Sequence, residues 1–204
     1  MYIPPHFAEI RNEELARIIR AHPLGMLVTH GPEGLDAEHI PFEFDPEAGL
    51  LTAHVARANP LLQRCATGSA VMVVFRGAEG YISPNWYPSK HETHRQVPTW
   101  NYEVVHAHGV LTVRDDARFV RGLLGRLTRR HEAAQPRPWK MSDSAPEFID
   151  GLLHSIVGIE IAVTTLAGKR KLSQNKETRD RLNAAAALEA EGNAALAQAM
   201  RQAG

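Results

Sequence analysis

The sequence predicts a mainly β domain with peripheral helices, an α+β barrel rather than a doubly wound sheet. Three observations predict it. Six or seven strand-like runs follow one another, with Gly, Pro, Asn and Asp punctuation between the early ones. No regular alternation of strand and helix runs along the chain. Neither phosphate-loop pattern occurs, GxGxxG or GxxxxGK followed by Ser or Thr.

The elements follow in order. Asn12 can cap a first helix, Glu13 and Glu14 suit its positive end, and Leu15, Ile18 and Ile19 make one apolar face. Pro23 stops it. Three strands then read as a meander, Leu24 to Thr29, Asp36 to Phe44 and Leu50 to Val55. Asn59-Pro60 signals a short helix anchored by Leu61 and Leu62. Ser69 to Arg76 is a further strand, and Gly77 to Gly80 is expected to turn it into Tyr81-Ile82. Residues 83–101 are rich in Pro, aromatics and His without a clean period, which reads as a long ordered loop. Tyr102 to Val113 resumes as a strand. Asp115 or Asp116 then starts a helix with Phe119, Val120, Leu123, Leu124 and Leu127 inside and five arginines outside. A connection holding Trp139 leads to a short helix, Pro146 to Leu153, and a last strand, Ser155 to Thr165. An alanine-rich helix closes the chain from about Glu177 to Arg201.

Composition narrows the function. The 204 residues carry 23 basic and 23 acidic side chains, and 44% are hydrophobic. That is an ordinary globular balance, long enough to bury a sizeable core. A formal charge of zero argues against coating nucleic acid by bulk electrostatics. The single Cys65 excludes an intrachain disulfide and multi-cysteine metal schemes, and a reducing cytoplasm is the default compartment. No apolar run approaches the ~18 residues of a membrane span.

Candidate sites stand beside plainer readings. Among eleven histidines, His91 and His94 are three apart, and His106 and His108 share a strand face. No ligand pattern flanks them, so polar side chains on a loop and a wall is the alternative. Cys65 beside Arg64 has no identifiable base and reads as a buried thiol. The basic face from Arg118 to Arg130 can meet DNA phosphates or simply be solvated. The segment His54-Val55-Ala56-Arg57-Ala58-Asn59-Pro60 ends a strand and opens a helix. It offers N–H groups, Arg57 and Asn59 to a phosphate, or is a plain corner that Asn59 caps. Lys171-Leu172-Ser173-Gln174-Asn175 sets four strong donors or acceptors after a strand, which suits a ligand's polar edge or a helix start.

Five patches, in order over residues 1–175, carry a resemblance. They are Met1-Tyr2-Ile3-Pro4-Pro5-His6-Phe7, the 54–60 segment, Ser83-Pro84-Asn85-Trp86-Tyr87, Val97-Pro98-Thr99-Trp100-Asn101-Tyr102 and the 171–175 pentapeptide. The chain resembles the PaiB family of FMN-binding negative transcriptional regulators. The resemblance implies an FMN-binding split β-barrel related to pyridoxamine-phosphate oxidases and flavin reductases. It implies a homodimer with two FMN sites at the subunit interface. The phosphate then sits at His54, Val55, Ala56, Arg57 and Asn59, and the ring runs along the hairpin at Thr29 and at Ala37 to Pro41, including His39. Trp86 and Trp100 cover the ring or fill the dimer seam. Lys171, Ser173, Gln174 and Asn175 bond the ring carbonyls or the phosphate, from the same or the partner chain. Residues 1–175 would form the FMN-binding domain and residues 176–204 a helical extension packed on the barrel or on the partner. Three functions are open on these grounds: a regulatory FMN-binding protein, an FMN-dependent oxidoreductase acting on a small molecule, and a split barrel that holds haem or another ligand. Direct DNA binding lacks support from the net charge.

Overall fold

Eighteen of the buried hydrophobic positions are Leu or Val carried on strands and helices that also bear polar faces, and this amphipathic division is what the chain folds around. The structure is a computed structural model that describes residues 1–203. The strands are β1 Ala8–Glu9, β2 Leu24–Gly31, β3 Gly34–Pro41, β4 Glu43–Asp45, β5 Leu50–Ala56, β6 Ala70–Ile82, β7 Thr99–Arg114 and β8 Ile156–Lys171. The helices are α1 Asn12–Ala21, α2 Leu61–Arg64, α3 Pro88–Thr93, α4 Ala117–Glu132, α5 Pro146–His154, α6 Thr178–Ala190 and α7 Ala194–Gln202. The sheet order is β3-β2-β6-β7-β8-β5-β4, with β1 added to β8. The mainly β class with peripheral helices is therefore the one observed.

The order corrects the simple meander. β2 and β3 form the expected hairpin, Gly31 opposite Gly34, but β5 lies beside β8 and not beside β3. The expected strand Asp36 to Phe44 breaks at Phe42. Pro41 has no N–H for a ladder, and the N–H of the buried Phe42 donates to the Pro23 carbonyl at 2.8 Å. No turn interrupts β6 at Gly77 to Gly80. Both glycines serve close approach: a Cβ on Gly77 would lie 2.9 Å from Glu103 Cβ, and one on Gly80 would lie 2.9 Å from Asn193 Nδ2. β8 continues through Gly168 to Lys171, six residues beyond the expected end. The loop 83–101 contains a turn of 3₁₀ helix at Pro84–Trp86 and the short α3. Asn12 is the first helical residue of α1 and makes no capping bond. The closing helix is two helices, broken where Gly192 takes φ +88° and Asn193 caps α7 through its Oδ1 to Leu196 N–H.

The chain divides into two compact units. One comprises Met1–His22, Phe75–His106 and Leu166–Gly204. Its core joins Ile82, Tyr87 and Leu172 to Ala184, Leu188, Leu196 and Met200 of α6 and α7. Its interior also holds charge: Arg170 Nε donates to Glu103 Oε1 at 2.7 Å, and Glu9 and Glu14 lie within 3.5 Å of Arg170. The other unit comprises Pro23–Val74 and Ala107–Thr165. It contains the β2–β3 and β4–β5 hairpins, and Val120 of α4 packs with Ile149 and Leu153 of α5.

Candidate functional site

The strand-to-helix corner lies in the second unit. β5 ends at Ala56, and Arg57 turns away to grip Asp115 with both terminal nitrogens at 2.7 Å. Its Nε donates to the His154 carbonyl at 2.8 Å, at the C-terminus of α5, where helix carbonyls lack intrahelical donors. The backbone N–H of Arg57 is taken by Ser155 and that of Asn59 by Ala56. Asn59 Oδ1 accepts from Leu61 N–H at 2.8 Å and so caps α2. The N–H groups expected to be open to an anion here are thus largely committed within the protein. Arg57 can meet a phosphate only by leaving Asp115. His54 is half-buried on β5 opposite Gly158, its Nδ1 has no hydrogen-bond partner, and burial holds its pKa below the ordinary histidine value. Val55 is buried and Ala56 exposed.

On the hairpin of the same unit, Thr29 is buried opposite Asp36, and His39 is exposed opposite Met26. The basic face of α4 is partly neutralised. Arg121 pairs with Asp150, and Arg126 and Arg130 both pair with Glu43. Cys65 is buried at the end of α2.

The pentapeptide lies in the first unit and lines a cleft of about 210 Å³. β8 ends at Lys171, and the chain then bends and turns through residues 172–175, which parts the side chains. Leu172 enters the core, while Lys171, Ser173 and Asn175 face the cleft with Tyr87, Thr99 and Asn101. Gln174 does not line it. Its Nε2 donates to the Arg170 carbonyl at 2.7 Å and its Oε1 accepts from Leu172 N–H at 2.8 Å, which braces the turn. Ser173 holds a left-handed conformation, φ +65°, unusual for a residue with a Cβ. It is kept there by buried hydrogen bonds of its Oγ with Tyr87 Oη at 3.0 Å and Asn101 Nδ2 at 2.9 Å.

The cleft is electropositive. Lys171 Nζ donates to Thr99 Oγ1 and, at 2.7 Å, to the Trp100 carbonyl. Lys176 Nζ donates to Gln96 Oε1 at 2.6 Å and lies over the Tyr87 ring. Among the described residues neither ammonium has a carboxylate within ion-pair distance, nor has Lys169. Burial, then Lys169, then Lys176 hold the Lys171 pKa below the ordinary lysine value. Trp100 is exposed at 57%, and Trp86 is half-buried against the α6–α7 core.

The residues reasoning from sequence passed over are Tyr87, Thr99, Asn101 and Lys176. Three of them stood inside quoted patches, yet the tryptophans beside them drew the attention. Among the described residues no three His, Cys, Asp or Glu side chains gather as a metal site requires, and no helix is long and apolar enough to cross a membrane.

The residues fit a flavin. Unpaired cations suit a phosphate or electron-rich ring carbonyls, and Asn101 Oδ1 is a buried acceptor without a donor beside the same cleft. Known proteins bear on this. A family model described as "Putative FMN-binding domain" matches residues 1–165. The chain is 30% identical over 195 residues to the Bacillus subtilis protein "Protease synthase and sporulation protein PAI 2", covering 95% of this chain and 91% of that one. It is 35% identical over 172 residues to an uncharacterized Saccharomyces cerevisiae protein, YKL070W, covering 72% of this chain and all of the other. Among solved structures, the FAD and heme binding protein of Mycobacterium smegmatis superposes with a TM-score of 0.58 at 17% identity, over 80% of this chain and 73% of its own. The flavocytochrome Anf3 of Azotobacter vinelandii gives 0.59 at 11%, over 83% and 72%. These two show a shared fold, the split barrel. The chain belongs to the PaiB-type FMN-binding family, and its cofactor is FMN.

Proposed function

We propose that the protein is a homodimeric FMN-holding regulator of the PaiB type, with flavin at the interface between two copies. The observation that carries this is the cleft around Lys171, where two ammonium groups without carboxylate partners face a wall of fixed polar side chains. Bound FMN supplies a redox-active ring. Lys171 and Lys176 meet electron-rich oxygens of the cofactor, and Ser173 and Asn175 shape the wall. In this reading Asn59, with His54 and Arg57, borders the phosphate, Arg57 exchanging Asp115 for it. Trp100 and Val97 are exposed at 57% and 69% near the cleft, an apolar rim that a second copy covers. Three of the five outer arginines of α4 pair with carboxylates, which weakens that face as a DNA surface, so regulation passes through a partner or a metabolite. The buried Cys65 suits the reducing cytoplasm in which we place the protein.

Purified protein is expected to be yellow, to release FMN of the correct mass on denaturation, and to sediment as a dimer. Lys171→Met should weaken FMN at least about tenfold, the scale of a hydrogen bond to a charged group. A colourless protein that takes up no added FMN overturns the reading, and a monomer that binds FMN fully overturns the interface part. Tight DNA binding at low salt that weakens steeply with added salt would overturn the indirect route.

A further inference from the structure

Asn101 is almost wholly buried at the base of the Lys171 cleft, and its carboxamide is used on one side only. Nδ2 donates to Ser173 Oγ at 2.9 Å and approaches Met200 Sδ at 3.4 Å. A thioether sulfur can only accept, so the amino end is the one that faces it, and the oxygen is fixed on the other side. That oxygen is buried and has no hydrogen-bond partner. An acceptor left bare in this way is costly, so it marks a donor that arrives with a ligand. Its neighbours define the remainder of that ligand. Lys171 and Lys176 supply donors and positive charge, and among the described residues no carboxylate pairs with either. Ser173 adopts a strained conformation in which its hydroxyl holds the Asn101 amide in place.

A ligand edge that satisfies all three groups presents a central N–H between two electron-rich carbonyls. The isoalloxazine ring of a flavin carries that arrangement in its imide, C2=O, N3–H and C4=O. We propose that Asn101 is the specificity residue for the flavin imide, its Oδ1 accepting from N3–H while Lys171 and Lys176 serve the flanking carbonyls. This rests on the proposal that the Lys171 cleft receives the cofactor. Ser173 and Tyr87 act as positioning residues: Ser173 Oγ accepts from the Asn101 amide, and Tyr87 Oη holds that same Oγ.

The test is made on the ligand, where folding cannot interfere. FMN and N3-methyl-FMN are titrated against the apoprotein by quenching of flavin fluorescence. The methyl group removes the donor and leaves both carbonyls and the phosphate intact. The expected result is that the methylated cofactor binds roughly ten- to a hundredfold more weakly, the scale of one hydrogen bond to a buried acceptor. In Asn101→Ala, or in Asn101→Ser where the alanine variant fails to fold, the two cofactors should bind within about twofold of each other, because the group that tells them apart is gone. Equal affinities in the unaltered protein overturn the inference while leaving FMN binding in place. Discrimination that persists in the Asn101 variants overturns it too, since the methyl group would then meet some other group. Absence of binding by either cofactor overturns the underlying reading, and the imide assignment with it.

Discussion

Glu103 and Arg170 form an ion pair inside the first unit, Nε to Oε1 at 2.7 Å, with both residues at most 5% exposed. Arg17 also reaches Glu103 at 3.1 Å from its partly exposed position. Glu103→Ala removes the carboxylate and strands Arg170 in a poorly solvated interior. The expected loss is about 3–5 kcal/mol of unfolding free energy. Urea denaturation followed by circular dichroism measures it, and a loss below about 1 kcal/mol would show that Arg170 finds another anion.

Acid should unfold the protein through the same cluster. Glu9 is buried, and hydrogen bonds from Arg11, with the charges of Arg11 and Arg170, pull its pKa down to about 2 from 4.5 against the opposing effect of burial. Its folded-state pKa is thus below its unfolded value. The stability it contributes is fully present above about pH 4.5 and drains away as the pH falls toward 2. Glu14 is shifted in the same direction, chiefly by its hydrogen bond from Arg17. Glu9→Gln should be less stable at pH 7 and should flatten the acid limb by on the order of 2–3 kcal/mol. Melting temperatures taken from pH 7 to pH 2 decide it, and parallel acid limbs for the two proteins would refute it.

Ser173 sets two effects against each other. Glycine would relieve its left-handed backbone, worth roughly 1 kcal/mol, and both glycine and alanine would lose the hydroxyl that joins Tyr87 to Asn101. Ser173→Ala is therefore expected to be less stable than Ser173→Gly by about 1 kcal/mol. Side-by-side thermal melts test this ordering, and an alanine variant as stable as the glycine one would contradict the strain. Both should lose FMN affinity, because both release the Asn101 amide.

Arg57 and Asp115 give opposite expectations for the cofactor. If Arg57 borders the phosphate, Asp115 competes with it for the guanidinium. Asp115→Asn should then leave FMN affinity equal or raise it, whereas Arg57→Ala should lower it at least about tenfold. Equilibrium titration with FMN reads both. Unchanged affinity in Arg57→Ala would assign the residue to fastening α5, where its Nε holds the His154 carbonyl.

What could be read from the residues followed the range of the interactions. Helices α1, α4 and α5 came from local periodicity and from punctuation such as Pro23, which stops α1, and Pro146, which opens α5, because those signals act within a few residues. Gly77 and Gly80 misled, since a glycine that makes a turn and a glycine that makes room look alike until Glu103 and Asn193 are seen beside them. The placement of β5 beside β8 depends on pairings a hundred residues apart, which no local pattern announces. In the site, Lys171 and Ser173 were legible as a dense polar run. Gln174 was legible as polar but not as a brace on its own backbone. Asn101 escaped because its importance lies in an unmet hydrogen bond, and only tertiary neighbours reveal that.

The way the two units are threaded has a consequence for synthesis on the ribosome. The second unit draws on residues no later than Thr165, whereas the first needs Ile18 and Ile19 from α1 and also Leu196 and Met200 from α7. Helix α1 is thus made well before the α7 segment that belongs to the same unit. The second unit can close during translation, while the Lys171 cleft is completed only after the segment through Lys176 has left the exit tunnel. On the proposed reading, cofactor capture at that cleft follows closure of the second unit, and a chain stalled before Lys171 would fold that unit without gaining the cleft.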